Sequence, residues 1–453
     1  MISEHIKDHV EVIENLLKEK DYRVLRSIMS EYEPADIAEI FDEMHENDIP
    51  ILFRILPKDL ASDYFVELDT DHQMLLISSF SDRELSEVME DLFVDDTVDL
   101  LDEMPASVVK RILKQTSPEK RQILNQILAY PKGSAGAIMT TEFVELKAHM
   151  TFDEVFKRIR RTGVDKETIY TCYVTDDYRH LIGVVSVKDF LIAQNDDVTV
   201  EELMETQIIY VNTTEDEETA AKMLSKYDLL ALPVVDNENR LVGILTYDDA
   251  MDIIESEDTE DIEIMAGITP TDKPYLKTGI FETWLKRIPW LMLLMISSTF
   301  TSKILQHFET ALAAQAALIA FIPMLMGTGG NAGSQVSVTV IRGLSLDEIA
   351  LRDVFRILWK EIRVSLLCGL SLCIVNFGKM LLIDNVSLET ALVVSITVLA
   401  VVIVSKLVGG VLPLLVKRIG FDPAVMASPF ITTIVDAVSL LVYFGVARAI
   451  LNL

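Results

Sequence analysis

Cysteine is scarce in this chain: three in 453 residues, at Cys172, Cys368 and Cys373, with no C-x-x-C spacing. That excludes a domain built on disulfides and points to a reducing compartment around Cys172. Base is scarce as well, but in one part only. Residues 1–276 hold 26 Lys+Arg against 61 Asp+Glu, a net of −35, whereas residues 277–453 hold 14 against 10, a net of +4. The acidic part has no basic stripe to displace phosphate counterions, so nucleic acid is excluded as a partner and positively charged partners are favoured. The sequence also lacks a phosphate-binding G-x-x-x-x-G-K-[ST] loop, a nucleophile paired with a base, and a metal-ligand grouping among its seven scattered histidines, so no enzyme is expected. The first residues, MISEHIKDHVEVIENLL, are charged and amphipathic, unlike a signal peptide.

What is present in quantity is apolar: half of all residues. Five stretches, near 286–307, 312–341, 364–383, 390–415 and 424–448, can cross a hydrocarbon core, which takes about 20 apolar residues. The second is charge-free from Thr310 to Ile341 and carries Pro323 and then GTGGNAGSQ, Gly327 to Gln335. Glycines there permit an unwound backbone beside a water-filled path, or a close helix-packing face. Arg342, Arg352, Arg356, Lys360 and Arg363 follow the second stretch, and Lys417 and Arg418 follow the fourth. The positive-inside rule places these in the cytoplasm, with the acidic N-terminal part, and puts the C-terminus outside.

Asp436 lies midway along the last stretch, in ASPFITTIVDAVSLLVYF. A carboxylate at that depth costs about 2.5–3.5 kcal/mol on insertion scales, so it lines a polar path or has a partner. Lys406 in the fourth stretch is the candidate partner. Thr432 and Thr433 lie four and three residues earlier, on the carboxylate's side of a helix. Hydroxyls beside a carboxylate suit a hydrated cation. One carboxylate per chain cannot strip a divalent ion, and Mg2+ in particular sheds water reluctantly. Two copies of Asp436 about a dimer axis, with backbone carbonyls from the glycine-rich segment, would hold the ion through its water.

The acidic part divides in two. Across residues 1–130, helix starts marked by Pro, Asp or Ser recur near Pro34, Asp48, Pro57, Asp71, Asp82, Asp95, Pro105 and Pro118, as in a superhelical solenoid of short helices. Residues 131–254 hold a duplication: IGVVSVKDF (Ile182 to Phe190) matches VGILTYDDA (Val242 to Ala250). The two β-α-β-β-α units of about 60 residues form a cystathionine-β-synthase-like (CBS) pair. Ser186 with Asp189, and Thr246 with Asp249, make an S/T-x-x-D step that caps the next helix or positions a ribose; the cap is preferred. The predicted fold is therefore multidomain: an all-α superhelical N-terminal domain (1–130), an α/β CBS pair (131–254), an acidic connecting helix and linker (255–283) and a five-helix α transmembrane domain (284–453).

Acids run together at 82–104, ten against one base, and at 248–263, nine against none. Asp95 and Asp99, Asp249 and Asp252, and Glu257, Glu260 and Asp261 stack like charges on helix faces, which destabilises a helix unless a cation bridges them. The second run leads straight toward the first apolar stretch. This suggests a feedback gate in which cytoplasmic divalent ions bridge the acidic faces and close a pore.

The whole chain resembles the MgtE magnesium channels. The resemblance rests on YPKGSAGAIMT (130–140), ETIYTCYVTDD (167–177), YDLLALPVVD (227–236), GTGGNAGSQ (327–335) and FDPAVMASPFITTIVD (421–436). It implies a plasma-membrane homodimer in contact with lipid, with a pore lined by the second and fifth spans at Gly329, Gly330, Asn331, Thr432 and Thr433, and hydrated Mg2+ held by Asp436. It also implies regulatory Mg2+ at Asp63, Asp95, Asp99, Asp228, Asp249, Asp252, Glu257, Glu260, Asp261 and Asp422, and ATP as a regulator near Tyr170, Lys188 and Asp189. Lys406 departs from the small or neutral residue expected there. The competing expectation is a nucleotide-regulated secondary transporter of another solute, or of Co2+ or Mn2+.

Overall fold

The computed structural model describes residues 4–193, 198–271, 273, 275–308, 316–426 and 428–451. They form two compact units, 1–254 and 255–453. The first opens with ten short helices: α1 (Glu4–Glu19), α2 (Tyr22–Met29), α3 (Pro34–Glu43), α4 (Ile49–Ile55), α5 (Ala61–Val66), α6 (Thr70–Ser79), α7 (Asp82–Asp91), α8 (Val94–Glu103), α9 (Ala106–Gln115) and α10 (Pro118–Ile127). Their brevity comes from the spacing of caps. Asp21, Asp69 and Ser117 each accept a backbone N–H three residues on, and Ser81 forms a reciprocal capping box with Glu84. Such helices bury few side chains each, Ile37, Ile40 and Phe41 on α3 and Leu85, Val88 and Met89 on α7. At about 1.5–3 kcal/mol per buried side chain, no such helix overcomes its own ordering entropy alone. They stack into one core that begins at Ile13 and continues through Ala135 and Met139 to Ala250.

The duplicated segment contains β1 (Val144–Leu146), α11 (Phe152–Thr162), β2 (Thr171–Thr175), β3 (Leu181–Ser186), α12 (Val187–Ile192) and α13 (Val200–Leu203), then β4 (Val211–Asn212), α14 (Glu217–Lys226), β5 (Ala231–Val235), β6 (Leu241–Thr246) and α15 (Tyr247–Met265). Each copy is a three-stranded sheet with a parallel first pair and an antiparallel second pair. The segments leading into the copies are exchanged: Thr140 bridges Ile244 of β6, while Glu205 bridges Val184 of β3. Gly183 and Gly243 make this possible, since a Cβ at either would lie 2.6 Å from Met204 Sδ or 2.5 Å from Met139 Sδ.

The second unit begins within α15 and continues with α16 (Ile280–His307), α17 (Ile322–Ser345), α18 (Val354–Leu382), α19 (Leu388–Arg418) and α20 (Ser428–Leu451). Among the described residues, four helical segments are long and apolar enough to cross a membrane: Ile280–His307, Leu351–Leu382, Leu388–Arg418 and Pro429–Ile450. The second expected span corresponds to α17, whose glycines and serines dilute its hydropathy. It nevertheless buries one face in the bundle, through Leu325, Gly329, Gly333, Val336 and Val340. Gly329 faces Val401, Gly333 faces Gly409 and Leu344 O accepts from Lys417 Nζ, so α17 runs parallel to α19. Gly369 against Leu399 and Asn376 against Ser395 set α18 antiparallel to α19. Trp290 against Phe430 and Phe308 against Phe444 set α16 parallel to α20. Alternating directions of this kind are those of five successive crossings. Residues 309–315, which include the start of the expected second span, lie outside the described residues.

Gly327 to Gln335 is continuous α-helix. The expectation of an unwound backbone is thereby corrected. Small residues here serve close packing, and the carbonyls are turned along the helix axis into its own hydrogen bonds. The third span also begins earlier than expected, so that Arg356, Lys360 and Arg363 lie on α18 rather than in a loop.

Candidate metal centres and ion path

Four separate segments of the first unit bring acids together. α8 carries Asp95, Asp96 and Asp99; Glu142 precedes β1; Glu167 precedes β2; Asp248 and Asp249 open α15. Asp95 is 7% exposed, and burial, then Asp249, Asp96 and Glu167, hold its carboxyl well above the usual range. Burial and the charges of Asp96, Asp248, Asp249 and Glu142 push Glu167 to about 8. Asp99 stands at the exposed rim, yet burial of its flank and then Asp249, Asp96, Glu103 and Asp102 push it to about 7. Asp96 and Asp249 are each raised to about 6, mainly by burial.

Among the described residues, no ion pair neutralises this group; the Thr140 hydroxyl donates to Glu142 Oε2 at 2.6 Å. The Thr246 hydroxyl donates to Asp249 Oδ2 at 2.5 Å. Glu167 Oε2 is buried and has no hydrogen-bond partner among the described residues. The nearby cation, Lys120, donates from Nζ to the carbonyls of Met89 (2.8 Å) and Leu92, and burial lowers its pKa. Ionised carboxylates gathered in one part-buried region repel one another, so the arrangement is suited to a divalent cation with its water.

The structure therefore unites three of the expected residues, Asp95, Asp99 and Asp249, with Asp252 near enough to raise Asp249. Sequence reasoning missed Asp96, Asp248, Glu142 and Glu167. Asp96 and Asp248 lie inside the acid runs and were legible there. Glu142 and Glu167 stand alone in sequence and join the group only through the sheet. Asp63, exposed on α5, and Asp228, exposed with a φ of 54° after α14, share no hydrogen bond or ion pair with the group among the described residues. In the CBS pair, Ser186 Oγ accepts from Lys188 N at 3.1 Å and Asp189 Oδ2 accepts from Ser186 N at 3.1 Å, a capping box that occupies Asp189; Tyr170 and Lys188 are exposed.

In the second unit, the end of α15 lies against the ends of α17 and α20. Asp258 Oδ1 accepts from Arg342 Nη1 at 2.8 Å, and Ile264 and Met265 pack on Ile341 and Ala424. Glu257, Glu260 and Asp261 are carried on this same stretch of α15. Asp422 Oδ1 accepts from Ala424 N at 2.8 Å and holds the turn before α20. Neither Asp258 nor its partner arginine was singled out from the sequence as a site residue.

Asp436 is half-buried on α20. The neighbouring face of α20 seats the glycines of α17: a Cβ on Gly329 would lie 2.7 Å from Ser439 Oγ, and one on Gly330 would lie 3.0 Å from Thr432 Cγ2. Gly329 and Gly330 are covered by that contact, while Asn331 is exposed. Thr432 and Thr433 both donate to Pro429 O, at 2.9 and 3.0 Å, so each hydroxyl oxygen keeps lone pairs for a cation or its water. Lys406 is 6% exposed, and among the described residues no ion pair joins it to Asp436.

An acidic helical domain, a CBS pair and a bundle of apolar helices together define a multi-span membrane protein with a folded soluble region. The chain belongs to the MgtE family. Residues 322–446 match the MgtE divalent cation transporter domain, residues 32–133 the MgtE intracellular N domain, and residues 135–196 and 200–256 the CBS domain. The chain is 36% identical over 444 residues to the magnesium transporter MgtE of Thermus thermophilus, covering 97% of this chain and 98% of that one. It is 31% identical to the magnesium transporter MgtE of Bacillus subtilis, over 96% of each chain. Among solved structures, it resembles the cytosolic domain of the Mg2+ channel MgtE in complex with ATP, with a TM-score of 0.51 and 33% identity over 54% of this chain and 99% of that one. The soluble part of a magnesium transporter gives a TM-score of 0.52 at 27% identity, over 56% of this chain and 99% of that one.

Proposed function

We propose that this chain is a magnesium channel of the plasma membrane, working as a homodimer and closed by cytoplasmic Mg2+. The gathering of Asp95, Asp96, Asp99, Asp249 and Glu167 with so little neutralising base is the observation that carries this reading. When Mg2+ is plentiful it bridges these carboxylates, and the acids of α15 with them, and the compact form shuts the path. When Mg2+ is scarce, repulsion opens it. Hydrated ions are the expected cargo, since a carboxylate from each copy of α20 and threonine oxygens address a water shell better than a bare ion. Asp63, Asp228 and Asp422 are assigned to regulatory Mg2+ binding as well.

The helix directions support the orientation: the basic ends of α17 and α19 share one side, taken as cytoplasmic, and the C-terminus emerges on the other. A nucleotide at the CBS pair, beside Tyr170 and Lys188, is the second part of the reading, favoured by the ATP complex of the related cytosolic domain. The deciding experiment is Mg2+ flux into liposomes that contain only this protein. Flux should appear, fall when Mg2+ is supplied on the side of the soluble domains, and vanish in Asp436→Ala. Flux that persists in Asp436→Ala would refute the ion path.

A further inference from the structure

The histidines look scattered in sequence, but folding sets one of them between two carboxylates. Asp42 is on α3, Asp69 caps α6, and His72 lies in the first turn of α6. One donor atom from each lies within 4.8 Å of the others. His72 Nδ1 is 2.9 Å from Asp69 Oδ1 and 3.5 Å from Asp42 Oδ1. This nitrogen is hidden from solvent and has no hydrogen-bond partner among the described residues. Asp69 Oδ1 instead accepts the backbone N–H of His72 at 2.8 Å, which fixes the carboxylate against the ring.

Those separations have a chemical meaning. With metal–ligand bonds of about 2.0–2.1 Å, cis donors on an octahedron lie about 2.9 Å apart and donors on a tetrahedron about 3.3 Å apart. One imidazole nitrogen and two carboxylates converge closely enough for a single cation to stand among them. The side chains grade from His72 at 14% exposed, through Asp69 at 27%, to Asp42 at 47%, which leaves an open side for water ligands. An imidazole nitrogen is a poor partner for Mg2+, which takes oxygen, and a good one for Zn2+, Co2+ or Mn2+.

We propose that Asp42, Asp69 and His72 form a binding site for a first-row transition dication on the helical domain, chemically distinct from the all-oxygen acidic group around Asp95 and Asp249. Such an ion ties α3 to α6 and gives the soluble domain a response to metals that the carboxylate sites do not discriminate. The test is Co2+ titration of the purified full chain in detergent, after chelator treatment and in excess Mg2+, read by equilibrium dialysis and by the visible spectrum of bound Co2+. A single class of Co2+ site that Mg2+ does not displace is expected, weakened at least about tenfold by His72→Gln and by Asp42→Asn, and untouched by Glu167→Gln. Asp42→Asn changes an exposed side chain, so it tests the site even if His72→Gln folds poorly. Co2+ binding that is absent in excess Mg2+, or unchanged in Asp42→Asn, would overturn the assignment.

Discussion

Mg2+ binding at the acidic group should expel protons. Glu167 at about 8 and Asp99 at about 7 mean that, at pH 7, roughly nine-tenths of the first and half of the second are protonated when no metal is bound. The sign follows from linkage. These pKa values are raised in the compact form, so its stability is fully present at acid pH and is lost as pH rises through about 6 to 8, unless a cation takes the protons' place. A dication binding there releases on the order of one to two protons per chain, and its apparent affinity rises by about ten- to a hundredfold per pH unit near neutrality. The measurement is isothermal titration of Mg2+ into the full chain in detergent, in two buffers of different ionisation enthalpy, at pH 6, 7 and 8. Glu167→Gln should remove about one proton from the release at pH 7. Release close to zero in both buffers, or an affinity flat across this range, would show that the carboxylates are already ionised and that the compact arrangement does not store their repulsion.

Other expectations follow from single contacts. Asp436→Asn should abolish Mg2+ flux in liposomes while leaving the detergent melting temperature close to that of the parent. Neutralising Glu257, Glu260 and Asp261 together should weaken closure, read as flux that persists at cytoplasmic Mg2+ levels that silence the parent. Exchanging Asp258 and Arg342 should preserve Mg2+ inhibition better than either single substitution, because the pair at 2.8 Å is re-formed with reversed sign; the gain is at most about 1 kcal/mol for so exposed a pair. A Cβ at Gly409 would fall 2.3 Å from Gly333 O, so Gly409→Ala should cost about 1–3 kcal/mol in thermal unfolding, whereas Gly378→Ala, with nothing within 4 Å, should be near neutral.

Periodicity and punctuation made most of the architecture readable. Pro34 and Pro118 mark helix starts because each removes an amide that the first turn leaves orphaned, and the start expected near Asp82 is capped by Ser81. The internal match of Ile182–Phe190 with Val242–Ala250 exposed the paired sheets, because each copy must solve the same packing problem. What stayed hidden was non-local. Glu142 and Glu167 carry no local sign of being beside Asp96, and His72 gives none of facing Asp42, thirty residues away. The glycines of α17 were ambiguous for a different reason: small residues permit an opened backbone or a tight crossing equally, and the neighbour on α19 decides. Asp258 was overlooked among nine acids because its distinguishing feature is Arg342, 84 positions later.

The near-touching backbones at Gly333 and Gly409 also limit how the bundle can move. Neither helix has space to roll or slide past the other without a steric clash, so α17 and α19 behave as one rigid post. Any widening of the bundle must then come from elements held more loosely. α20 is seated on the same α17 glycines, so the element with room to move is α16, which buries no residue of its own and leans on α20 through the ring pairs Trp290–Phe430 and Phe308–Phe444.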